Sequence, residues 1–119
     1  MKFYQCEKCG KVIISREELK LAELHGFKEL VAGATDAAQE KHVPVVEKKC
    51  SKVRVSVGSV AHPMSEEHFI EWALLETQDG YQIKYFQPTE APEVVFSLKS
   101  GDKVVAVYAY CNLHGLWKN

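Results

Sequence analysis

From residue 43 to the end of the chain, apolar residues recur with a period of two, and nothing else in the sequence constrains the fold as much. KVRVSVGSV sets Val53, Val55 and Val57 on one face and Arg54 and Ser56 on the other. HFIEWALLET, YQIKYFQ, EVVFSLK and KVVAVYAYCNL follow as further β-rich runs. Alternation of this kind is the signature of half-buried strands. The turn signals between the runs, Asp79-Gly80, Gln87-Pro88, Ala91-Pro92 and Ser100-Gly101-Asp102, are spaced for antiparallel neighbours rather than helical crossovers. Six or seven short strands in about 80 residues predict a mainly β chain built on an immunoglobulin-like antiparallel sandwich. Phe69, Tyr85 and Phe96 are expected inside it, and Trp72 and Trp117 are read as packing residues. With 46% hydrophobic residues in 119, the chain can bury one proper core but not two full-sized ones.

The first 35 residues differ. MKFYQCEKCG carries Cys6 and Cys9 in a CxxC, KVIIS is a short apolar run, and SREELKLAELHGF predicts a short helix. Ser15 and Glu18 form its capping box, Leu19, Leu21 and Leu24 its apolar side, and Gly26 its stop. The expected division is a small N-terminal segment, 1–35, and a β-domain, 36–119, joined through VAGATDAAQE at 31–40. Fifteen Lys plus Arg against sixteen Asp plus Glu leave a net charge of -1, so no nucleic-acid partner is implied. No apolar run approaches the roughly 18–20 residues needed to cross a bilayer, and the start has no charged-then-apolar leader. A soluble, cytoplasmic protein with no membrane partner is expected. In a reducing compartment a CxxC points to metal or redox chemistry rather than to a structural disulfide.

Four of the five histidines fall in segments unlike strand interiors: EKHVP around His42, VAHPMSEEHF around His62 and His68, and YCNLHGLW around His114. Cys111 stands three before His114. Taken singly, each is most simply a surface histidine. Pro44 and Pro63, close after His42 and His62, fix turns or strand edges from which a ring can face a metal. Imidazole and thiolate bind divalent iron, copper and zinc. Structural zinc is satisfied by four ligands, so five donors from separate segments favour iron with one open position. Type 1 copper also takes Cys and His from a β-sandwich, but it wants an axial Met, and GLWKN after His114 has none. Met64 is read as packing, and Glu66 and Glu67 as a solvated loop.

EKHVPVVEK, VGSVAHPMSEEHFIEW and CNLHGLWK resemble the superoxide reductases, the desulfoferrodoxin and neelaredoxin family, from about residue 35 onward. The resemblance implies an immunoglobulin-like domain holding one mononuclear non-haem iron by four equatorial histidines, His42, His62, His68 and His114, and the axial Cys111. It implies that Glu40 and Lys41 lie on a mobile loop over the open position. Glu40 would occupy that position in the resting ferric state, and Lys41 would face the substrate. The implied activity is one-electron reduction of superoxide to hydrogen peroxide, with re-reduction by an external donor such as rubredoxin, in a homo-oligomer, dimer or tetramer. The backbone N–H groups of Leu113 and His114 are expected to hydrogen-bond the Cys111 sulfur and tune it.

Two-centre members carry an N-terminal desulforedoxin-like domain in which a CxxC and an adjacent CC hold a second iron. Here the place of the CC falls near Ala22 and Glu23, so two of the four cysteine ligands are missing. Cys50 is read as a bystander in a strand-like stretch. Three readings of Cys6 and Cys9 stay open: a knuckle that keeps its turn without metal, a zinc or iron site completed by His25 or a second subunit, and a redox-active dithiol. For the whole chain, the alternative to the enzyme is a metal-binding electron-transfer module on the same fold. A structural zinc protein is disfavoured by the donor count.

Overall fold

The seven strands of the larger unit arise where the alternation is strongest. The computed structural model describes residues 1–20 and 23–119. The chain forms two compact units, Met1–Val31 and Ala32–Asn119.

In the first unit β1 (Lys2–Cys6) runs between β2 (Val12–Ser15) and β3 (Phe27–Leu30), antiparallel to both. Phe3 and Tyr4 are buried. The helix expected after Ser15 does not form over the described residues: 16–20 are bends and irregular chain, and residue 23 is a fragment of 3₁₀ turn. So short an amphipathic segment has too little helical cooperativity of its own, and competing bonds take its backbone. Ser15 caps only Glu17, whose N–H it accepts at 3.2 Å, and the Leu19 N–H is donated to the Tyr4 hydroxyl at 2.8 Å. Leu21 of that expected helix, and Ala22 at the place of the missing cysteine pair, lie outside the described residues.

The second unit begins with a single helical turn, α1 (Gln39–His42), followed by β4 (Pro44–Lys49), β5 (Lys52–Val57), β6 (Ile70–Thr77), β7 (Tyr81–Tyr85), β8 (Glu93–Ser97), β9 (Val104–Cys111) and β10 (Gly115–Lys118). One sheet has the order β4-β5-β8, the other β10-β9-β6-β7, and all pairs are antiparallel. The core lies between them. Val53, Val55, Val57 and Phe96 of the first sheet meet Ile70, Ala73, Leu75, Val107, Ala109 and Cys111 of the second, with Phe86 and Leu98 closing the ends. This is the expected antiparallel sandwich.

β5 alternates as read, with its three valines inside and Arg54 out. β6 does not alternate simply. A bulge between Ile70 and Trp72 shifts the register by one residue, so Ile70 shares the core face with Ala73 and Leu75. Trp72 then lies on the other face, stacked on Tyr110 with ring centroids 5.4 Å apart. Tyr85, expected inside, pairs directly with Trp72 on that outer face and is 63% exposed, while the next residue, Phe86, turns into the core. Phe69 is half-buried and Phe96 fully inside. Cys50 stands in the β4–β5 turn, exposed and with φ 55°, not in a strand. Among the described residues no helix is long and apolar enough to cross a membrane.

Candidate metal centre

All five sequence-selected donors come together at one end of the sandwich. His42 ends α1, His62 and His68 lie on the β5–β6 connection, Cys111 ends β9, and His114 follows in the β9–β10 turn. One ligand atom from each lies within 4.8 Å of all the others. Cys111, His42 and His62 are buried, whereas His68 and His114 are partly exposed, so the cluster meets solvent on the ring side rather than the sulfur side.

The four rings form a square. Going round it, centroids are 4.6 Å apart for His42–His62, 4.6 Å for His62–His68, 5.0 Å for His68–His114 and 4.8 Å for His114–His42, whereas His42–His68 spans 6.4 Å. In a tetrahedron all these separations would be alike. Neighbouring rings stand nearly perpendicular, at 75–89°, and the rings across the square are tilted by only 31°. The Cys111 sulfur lies 3.5 Å from His62 Nε2 and 3.8 Å from His114 Nδ1, as a fifth donor.

Protons decide what the square can hold. His42 Nδ1–H donates to the Ala38 carbonyl at 2.7 Å and His62 Nδ1–H to the Pro63 carbonyl at 2.6 Å, because a carbonyl can only accept. The neutral rings therefore both present the Nε2 lone pair to the cluster, and these two acceptors face each other at 3.1 Å. His68 Nε2 is buried with no hydrogen-bond partner. A cation between them would satisfy these crowded nitrogens together. His42 Nε2 is also 3.1 Å from His114 Nδ1, and two separations of this size are what donors sharing one ion at a metal–imidazole bond length of about 2.0–2.1 Å require. The residues fit a divalent transition ion.

Burial favours the metal-ready forms of the imidazoles. It pushes the pKa of His62 down to about 4, and lowers those of His42 and His68, so all three are neutral at pH 7. For Cys111, burial raises the thiol pKa, and the N–H groups of His114 and Leu113 work against that rise by hydrogen-bonding the sulfur. A bound cation would deprotonate the thiol outright.

The supporting contacts came with no motif to announce them. Trp117 stacks on His42 with centroids 4.9 Å apart and donates its indole N–H to the His114 carbonyl at 3.1 Å, bracing two corners of the square. Asn112 accepts the Phe69 N–H at 3.0 Å and donates to the Glu67 carbonyl at 2.9 Å, tying the His68 loop to the Cys111 turn. Met64 packs on the core and its sulfur accepts the Ile70 N–H at 3.4 Å. Glu66 and Glu67 are exposed. Glu40 and Lys41 are exposed on α1, a turn of helix rather than a loop, immediately before His42. Their backbone is held by the segment after β5: the Glu40 carbonyl accepts the Val60 N–H at 2.9 Å and the Ser59 hydroxyl at 3.2 Å. Gly58 permits this approach, since a Cβ there would lie 2.5 Å from the Glu40 oxygen.

The desulfoferrodoxin family profile matches residues 34–119, the whole of the sandwich and its five donors. The chain belongs to the desulfoferrodoxin family. It is 43% identical over 126 aligned positions to the desulfoferrodoxin of Nitratidesulfovibrio vulgaris, covering 97% of this chain and 92% of that protein. It is 37% identical to the superoxide reductase of Pyrococcus horikoshii, over 67% of this chain and 84% of that one. Among solved structures, the superoxide reductase from Treponema pallidum superposes with a TM-score of 0.82 at 38% identity, covering 99% of this chain and 97% of that chain. Family membership and the His/Cys group together mark this end of the sandwich as a metal-binding site.

Proposed function

We propose that this chain is a superoxide reductase. His42, His62, His68 and His114 would hold one mononuclear iron, with the buried Cys111 as the fifth residue of the set. The observation that carries this reading is the square of four rings with a sulfur as fifth donor, a set of five that would leave an ion it held able to take a small anion as well. Four donors in a tetrahedron would complete zinc and leave nothing open. When bound, ferrous iron supplies the single electron that, with two protons, converts superoxide to hydrogen peroxide.

The chain's own residues do the rest. Lys41, exposed beside His42, draws the anion in: a unit charge pair at about 10 Å and an effective dielectric near 20 is worth roughly 1–2 kcal/mol, about tenfold in encounter rate. Cys111 would donate electron density to an ion held there, and the Leu113 and His114 N–H groups that hydrogen-bond its sulfur would moderate that donation. The carbonyls of Ala38 and Pro63 lock the tautomers of His42 and His62. Glu40, next to Lys41, is the carboxylate that would bind the ion between turnovers, when no substrate is present. Catalysis belongs to residues 36–119, and residues 1–35 form a desulforedoxin-like segment lacking two of its four cysteine ligands. The electron donor is a small redox protein such as rubredoxin, and the setting is the cytoplasm of a cell that must dispose of superoxide without evolving oxygen.

Mixing the ferrous protein with superoxide in a stopped-flow or pulse-radiolysis experiment tests the reading. One hydrogen peroxide should appear per iron oxidised, with no dioxygen from the protein's reaction. Iron that stays ferrous while superoxide decays at its spontaneous rate would leave only an electron-transfer module.

A further inference from the structure

Cys6 and Cys9 stand outside the five-donor cluster, and among the described residues no third His, Cys, Asp or Glu donor joins them. A soft metal that takes four ligands finds two there. His25, once a candidate to complete such a site, is exposed and brings no third donor to them.

The turn nevertheless sets the two cysteines against each other. The Cys6 N–H donates to the Lys11 carbonyl at 2.9 Å, and the Gly10 N–H donates to the Cys6 carbonyl at 2.9 Å. Gly10 takes φ 72°, a conformation that costs glycine little and closes the loop. Residues i and i+3 of a tight turn have Cα atoms within about 7 Å, a span a disulfide can bridge. The Cys9 N–H points at the Cys6 sulfur at 3.4 Å. That N–H, then the Cys9 thiol and the Lys8 N–H, pull the Cys6 pKa below its ordinary value and enrich the nucleophilic thiolate. Cys9 is exposed and Cys6 half-buried, so a small oxidant reaches both.

We propose that Cys6 and Cys9 are a dithiol oxidised by hydroperoxides, with Cys6 as the attacking sulfur and Cys9 as the resolving one. The Cys6 thiolate attacks one peroxide oxygen, the O–O bond breaks, hydroxide leaves and a sulfenic acid forms. The Cys9 sulfur then attacks the Cys6 sulfur, the S–OH bond breaks, and a disulfide and water result. In sum two thiols lose two electrons and two protons, and one hydrogen peroxide becomes two waters. A cellular dithiol reverses the step. Hydrogen peroxide is the product of the proposed superoxide reduction, and only that source of oxidant rests on that reading, because a titration with hydrogen peroxide supplies its own.

The purified protein is titrated with hydrogen peroxide, alkylated and digested with trypsin. Cleavage after Lys8 separates FYQCEK from CGK, so a Cys6–Cys9 disulfide is read as these two peptides joined. The joined pair should form, revert with dithiothreitol, and accumulate about tenfold faster than oxidation of the exposed, solitary Cys50. Cys9→Ser should stop at a sulfenic acid on Cys6 that dimedone captures. Cys6→Ser should abolish the disulfide and leave superoxide consumption unchanged, which separates failure of this proposal from failure of the preceding one. Cys6 and Cys9 that stay alkylatable while Cys50 oxidises would overturn the dithiol. So would a metal in the purified protein that is lost in Cys6→Ser but kept in Cys111→Ser.

Discussion

Gly58→Ala perturbs the metal centre without touching a donor. The added Cβ would lie 2.5 Å from the Glu40 carbonyl oxygen, 2.8 Å from the Lys41 carbonyl carbon and 3.0 Å from the Glu40 carbonyl carbon. All three are backbone atoms of the turn that carries His42, so no side chain can swing aside. The turn and the 58–60 segment must separate, at an overpacking cost of about 1–3 kcal/mol. Separation also strains the bonds from Val60 N–H and the Ser59 hydroxyl to the Glu40 oxygen, which adds about 1 kcal/mol. The sum, about 2–4 kcal/mol, converts at about 4 °C per kcal/mol to a fall in Tm of about 8–16 °C. Because His42 moves with the turn, metal affinity should drop about tenfold or more. Calorimetry of the metal-free protein and a competition titration of the loaded one measure the two effects. Gly80→Ala is the comparator: nothing lies within 4 Å of its Cβ, and Tm should move by less than about 2 °C. A Gly58→Ala protein that melts with its parent and binds metal as tightly would refute the claim that this contact positions His42.

Acid should destabilise the metal-free protein. His62, His42 and His68 have folded-state pKa values below the ordinary 6.5, so the unfolded chain binds more protons as pH falls. Stability should be flat above pH 7 and decline from about 6.5 toward the folded value of His62, about 4; denaturant melts that show no slope across this window would contradict the neutral-ring assignment. Cys111→Ser should lose the thiolate-to-metal charge-transfer band of the oxidised protein, and a band that survives unchanged would remove Cys111 as a ligand. Lys41→Ala should slow the second-order reaction with superoxide about tenfold at low salt and flatten its ionic-strength dependence, with metal content unaltered. Equal rates at all salt concentrations would rule out steering.

The sandwich was legible because β5, β8 and β9 keep their alternation or turn signals, and strand parity alone then assigns most faces. It failed where parity breaks. The bulge after Ile70 carries no residue signature, and in β7 the apolar Tyr81, Ile83 and Tyr85 share the outer face, paired with Glu76, Leu74 and Trp72, so reading apolar as inward sets Tyr85 on the wrong side. Over the described residues the helix expected after Ser15 does not form, because local capping is weak against a single tertiary bond such as Leu19 N–H to the Tyr4 hydroxyl. The five donors were legible from chemistry: imidazoles flanked by proline and a nearby thiol stand out in β-rich sequence, and their side chains do converge. Their supports were not. The carbonyls of Ala38 and Pro63 are backbone groups, invisible to residue type, and the bracing by Trp117 depends on a stacking distance that only the β9–β10 turn creates.

X-ray absorption at the iron edge of the reconstituted protein tests the central geometry most directly. Five ligands from the chain are expected, four nitrogen and one sulfur, with the sulfur shell lost in Cys111→Ser. A four-coordinate tetrahedral spectrum, or one without sulfur in the parent protein, would contradict it.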